Sequence, residues 1–78
     1  MNPLLHVGFG NYLITSRIQL IASISSAPMT RMVQEAKRQH LLVDLTHGRK
    51  TKSVILMDSG VLVICSSTPD TLAERLRL

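Results

Sequence analysis

The sequence predicts a small α+β domain: a mostly antiparallel sheet with one central helix and a short C-terminal helix. Three observations lead there. Runs of β-branched and aliphatic residues with a period of two fill most of the chain. One long stretch, from Ser26 to His40, changes to a helical period, and a second, shorter one closes the chain. The strands come in runs between these helices rather than in strict alternation with them.

Leu4 to Val7 is a short apolar strand, ended by "GFGN" at Gly8 to Asn11, where two glycines and an asparagine tolerate the positive φ of a turn or bulge. The next segment reads as strands at 11–15 and 17–24, or as one strand kinked near Ser16. Within it Ile18, Leu20, Ala22 and Ile24 alternate with Gln19, Ile21 and Ser23, which predicts that the first set shares one face. The helix is expected over 28–39. Pro28 suits its first turn, and Met29, Met32, Val33 and Ala36 fall on one side. Lys37 and Arg38 suit the negative pole of its dipole. "LLVDLT" reads as a largely buried strand and "HGRKTK" carries the glycine of a turn. Val54–Met57, Asp58–Gly60 and Val61–Ser66 make a hairpin. Thr68 then caps a final helix with Pro69 at its first position and Asp70 in its first turn, and Leu72, Ala73 and Leu76 lie along one side.

All of this is one domain, residues 1–78. A chain of 78 residues buries only about 60–65% of its unfolded surface. Leu, Ile and Val make up 24 of those residues, against one Phe, one Tyr and no Trp. That aliphatic excess predicts that a second subunit covers some of the apolar surface. Cys65 is the single cysteine, so no internal disulfide forms and nothing points to an oxidising compartment. No run reaches the roughly 18 apolar residues of a membrane span, and the N-terminal apolar run has no basic region before it, so a cytoplasmic location is expected.

Several motifs carry no chemistry. "GFG" lacks the third glycine, the lysine and the following helix of a phosphate cradle, which leaves a turn. His6, His40 and His47 are scattered without metal-ligand spacing. Glu35, Asp58, Asp70 and Glu74 fit helix surfaces, a turn or a helix start. Asp44, inside an apolar strand, either orients a basic neighbour such as Arg49 or faces solvent. No set of nucleophile, base and orienting group can be assembled, so the residues point to a non-enzymatic protein with no cofactor, metal or small-molecule substrate.

The charge is what remains. A formal net charge of +4 and a pI near 10 favour polyanions. Arg31, Lys37, Arg38, Arg75 and Arg77 lie on helix faces or chain ends, where charge serves solubility. Arg49, Lys50 and Lys52 instead cluster in a strand-to-strand connection, and Arg17 interrupts an apolar strand region. The cluster reads either as a solvated loop or as a binding face, in which Arg49 takes a phosphate bidentately or a guanine edge while the lysines act as point charges. Stacking on single-stranded RNA needs aromatic platforms that this chain almost lacks, and a membrane surface needs a basic amphipathic helix with aromatic anchors. An acidic protein docked on the loop of a non-enzymatic oligomeric adaptor is the alternative partner.

"GFGN" followed by Arg17, then "APMTRMVQEAK", "VDLTHGRKTKSVI", "MDSG" and "TPDTLAERL", resembles the RemA family, bacterial regulators of extracellular-matrix (biofilm) genes. The likeness runs from about Val7 to Leu76 in order and spacing. It implies a LytTR-like DNA-binding domain that assembles into a homo-oligomeric ring and presents its basic residues repeatedly to double-stranded DNA. Arg17, Arg49 and Lys50 stand where that family places its DNA-binding arginines, and Lys52 extends the same loop. Lys50 departs from the family's arginine pair, which keeps the charge and loses the planar fork. His40 stands where a glycine often follows the helix.

Overall fold

The chain begins with a hairpin, β1 (Leu4–Gly8) and β2 (Asn11–Ile14), that forms a two-stranded sheet of its own. This is the computed structural model of the protein, and it describes residues 1–77. A 3₁₀ turn, Thr15–Arg17, separates β2 from β3 (Ile18–Ser23), so the segment read as adjoining strands or one kinked strand serves two different sheets. α1 (Ala27–Arg38), β4 (Leu42–Asp44), β5 (Ser53–Met57), β6 (Leu62–Cys65) and α2 (Pro69–Leu76) follow. The second sheet has the order β3-β5-β6-β4.

The α+β class and both helices agree with the sequence reading, but the main sheet is mixed. β3–β5 and β5–β6 are antiparallel, whereas β4 lies parallel to β6. The cause is α1. Parallel neighbours need a crossover connection, and the helix carries the chain back so that β4 runs in the same direction as β3. β4 thus becomes one of the two edge strands, and Val43 and Asp44 are exposed there rather than largely buried. A shift of register between Ile18 and Leu20 also breaks the predicted alternation in β3. Ile18 and Ile21 turn to one side of the sheet while Leu20 stays 41% exposed.

The sheet has an apolar cluster on each face. On one, Ile55, Val63 and Cys65 meet Leu5 and Val7 from the hairpin and Leu72 from α2. On the other, Val54, Leu62 and Ile64 meet Ala36, with Met29, Met32 and Val33 of α1 partly buried against them. β5 and β6 are therefore buried on both faces, which is why their sequence reads as continuous aliphatic runs instead of alternation.

Both helices start as expected. Ser26 Oγ accepts from Met29 N, and Thr68 Oγ1 accepts from Thr71 N at 3.2 Å. Two residues of α2 behave differently. Ala73 is exposed, and Arg75, expected on a solvated face, is half-buried and donates through Nη1 to His6 O at 2.9 Å and Ser67 Oγ at 3.3 Å. It joins α2 to the hairpin and to the end of β6. No helix among the described residues is long and apolar enough to cross a membrane.

Candidate functional site

The connection from β4 to β5 arches over the C-terminal end of β6. Leu45 N donates to Ile64 O at 2.9 Å on one side of that strand and Lys52 N to Cys65 O at 2.9 Å on the other, so both feet of the arch stand on β6. Ile24 N donates to Lys52 O at 3.1 Å, which ties in the end of β3, and Ser53 Oγ donates to Ser67 O at 2.6 Å.

Between the feet, Arg49 N donates to Thr46 O at 3.0 Å, and the two residues enclosed, His47 and Gly48, have φ of 55° and 79°. Positive φ at both central positions is the pattern of a type I′ turn, and the glycine adopts it without steric cost. Asp44 sets the entry. Its Oδ1 accepts from Thr46 N at 2.9 Å and from Thr46 Oγ1 at 2.6 Å. These two hydrogen bonds, the side-chain one first, hold the Asp44 carboxyl below its ordinary range against a small opposing effect of desolvation, with Lys37 adding to the lowering. The carboxylate thus shapes the turn and does not orient Arg49.

Three chain segments converge here. The tip of the hairpin, Gly8–Gly10, has positive φ at all three residues, including 56° at Phe9. That conformation brings the Phe9 ring against the arch. It stacks on His47 with centroids 4.4 Å apart at 17°, and the Arg49 guanidinium carbon lies 5.6 Å from the Phe9 centroid. Ser66, just beyond β6, completes a shallow concavity with Arg49, Lys50 and Lys52.

Arg49, Lys50 and Lys52 are exposed, and none of them is in an ion pair among the described residues. The N-termini of both helices lie at this same end of the sheet. Ser23, three residues before the Ser26 cap, pairs with Ser53, and Ser67, beside the Thr68 cap, receives the Ser53 hydroxyl. Their partial positive charges add to the three cations, with Asp70 in the first turn of α2 as the local counterweight. The arrangement is a rigid cationic patch suited to an anion.

Arg17 is elsewhere. Its carbonyl accepts from Asp58 N at 2.8 Å and its Nη1 lies 3.2 Å from Asp58 Oδ2, at the far end of β5. Six steps of nearly extended chain lead from Lys52 to Asp58, roughly 20 Å. Within one protomer, then, three of the four predicted contact residues come together and Arg17 does not.

Sequence reasoning missed Phe9 and His47 as members of this site. A signal existed for Phe9, since a large aromatic between two glycines has little reason to be there for turn formation alone. His47 gave none, because its partner is far away in the chain.

Comparison with known proteins yields one family match. A family model described as RemA-like, extracellular matrix regulatory protein A-like, covers residues 4–76. A relative from Dehalococcoides mccartyi is 45% identical over 75 residues, 96% of this chain and 78% of its own length. One from Thermosynechococcus vestitus is 42% identical over 73 residues, 94% of this chain and 95% of its own. One from Geobacillus kaustophilus is 43% identical over 76 residues, covering 97% and 87%. All three are provisionally named regulatory proteins.

Proposed function

The chain belongs to the RemA-like family, and from that premise we propose that it is a cytoplasmic, oligomeric DNA-binding regulator of transcription, acting on extracellular-matrix (biofilm) genes. The observation that carries this reading is the cationic arch of Arg49, Lys50 and Lys52, in no ion pair among the described residues and held on both feet by β6. A loop so held presents its charges with little ordering left to do on binding. Arg49 is assigned to a bidentate phosphate or base-edge contact, and Lys50 and Lys52 to phosphates as point charges.

One protomer offers few phosphate contacts, so assembly is part of the mechanism. A LytTR-like domain repeated around a ring sets the arch and Arg17 at regular intervals along one duplex, and each neutralised phosphate adds its counterion-release contribution. Assembly is supported by the apolar surface left open on the protomer. Leu4 is 51% exposed, Tyr12 59% and Ile14 57%, all on the outer side of the hairpin. Sequence choice then comes partly from how readily the duplex deforms.

Titration of duplex DNA at several salt concentrations tests this. Wild type is expected to bind with a steep salt slope. Arg49→Ala weakens binding and lowers the slope by about 0.9 for each phosphate that it leaves unneutralised. Arg17→Ala acts in the same direction, moderated by the partial neutralisation from Asp58. Unchanged affinity in both variants, or no salt slope, would hand the arch to the rival reading of a dock for an acidic protein.

A further inference from the structure

We propose that Phe9 is a positioning residue for the cationic arch: its ring, stacked on His47 and lying beside the Arg49 guanidinium, holds Arg49 ready for its anionic partner. The inference rests on the DNA reading for the identity of that partner, while the restraint on Arg49 belongs to the protein alone.

The geometry carries it in three steps. Phe9 is 46% exposed and stands outside both apolar clusters, so its ring is not there to fill the core. It occupies a left-handed backbone conformation, φ 56°, which bulky side chains rarely adopt and which persists only where the surroundings demand it. What it touches from that strained position is the turn of the arch: the His47 ring at 4.4 Å and the Arg49 guanidinium at 5.6 Å. A cation within about 6 Å of an aromatic centroid is attracted by the ring quadrupole. His47 also has a positive φ of 55°, so two strained turns are locked face to face.

An arginine has many rotamers to lose on binding. A guanidinium already restrained by an aromatic neighbour loses fewer, and affinity rises without any new contact to the ligand. On this account Phe9 couples the hairpin to the arch and touches no phosphate itself.

The test uses the full chain and a duplex of defined sequence, with Phe9→Ala, Phe9→Gly, Phe9→Tyr, Arg49→Ala and the double variant of Phe9→Ala with Arg49→Ala. Phe9→Ala is expected to lose about three- to tenfold in affinity per contacting protomer. Phe9→Gly removes the ring while easing the backbone, so the melting temperature holds while binding falls. Phe9→Tyr restores binding. Once Arg49 is gone, removing Phe9 costs nothing more, because the pair acts as a unit. An additive double variant, or a Tyr variant that fails to restore affinity, overturns the inference and leaves the DNA reading standing. Failure of the DNA reading alone, seen as wild-type affinity in both Arg17→Ala and Arg49→Ala or as no salt slope, is separated by a measurement on free protein. The Arg49 Nε–H order parameter and the ring-current shifts of the Arg49 side chain are expected to fall in Phe9→Ala. If they stay as in wild type, Phe9 does not position Arg49.

Discussion

Asp44 and Thr46 illustrate how a single carboxylate decides the shape of a loop. Thr46 is 3% exposed and gives both its amide and its hydroxyl to one Asp44 oxygen. Folding lowers the Asp44 pKa, so the native chain prefers the ionised carboxylate. That contribution is complete above the ordinary carboxylate range near 4 and disappears as the pH falls through the lowered value. Asp44→Ala removes the acceptor of both Thr46 hydrogen bonds and is expected to cost about 1 kcal/mol at neutral pH, a fall of about 4–8 °C in melting temperature for a domain of this size. Thermal melts of the two proteins at descending pH should converge in acid. A gap that stays constant down to strongly acidic solution would mean that the carboxylate charge is irrelevant to the turn. Cys65 shows burial in the opposite direction. Desolvation raises its pKa against smaller lowering effects of the Ser67 hydrogen bond and Arg75, and the thiol is 0% exposed, so it serves as a small core residue.

The end of α1 is the clearest case of an element finished by an unexpected residue. Gln39 is the C-cap and His40 follows with φ 59°. His40 N donates to Lys37 O at 3.2 Å and Leu41 N to Ala36 O at 2.8 Å, the paired bonds of a Schellman motif. The left-handed position normally goes to glycine, and histidine carries a steric penalty there. His40→Gly is expected to stabilise the fold by about 0.5–1 kcal/mol, the relief of that penalty less the extra entropy of the unfolded chain. Urea denaturation checks it through a higher midpoint at an unchanged slope, and a lower midpoint would show that the His40 side chain itself stabilises the helix end. In β3 a comparable local event, the register shift at Gln19, changed which residues face which cluster.

The whole protomer is 8.6 kDa and leaves Leu4, Tyr12, Ile14, Leu20, Leu41 and Val43 more than a third exposed. A chain so short and so open in apolar surface is expected to associate. Light scattering at micromolar concentration should give a multiple of the protomer mass, with a melting temperature that rises with protein concentration. A clean monomer at that concentration would remove the ring from the proposed mechanism and leave the arch too few phosphate contacts for tight binding.

Much of this protein is legible locally. Ser26 and Thr68 mark helix starts, Met29, Met32, Val33 and Ala36 mark the buried side of α1, and Arg49, Lys50 and Lys52 stand out as a cluster, because capping, helical periodicity and charge density are all properties of near neighbours in the chain. Three other features appear only when distant segments meet: the parallel placement of β4, the use of Arg75 as a tie between α2 and β1, and the stacking of Phe9 on His47 beside Arg49. Phe9 and His47 are 38 positions apart in the sequence, and no local pattern specifies that two strained turns will touch. Hydrophobic burial on both faces of β5 and β6 brings the hairpin and the arch to the same end of the sheet. The residues supply the charge, and that packing sets where the charge stands.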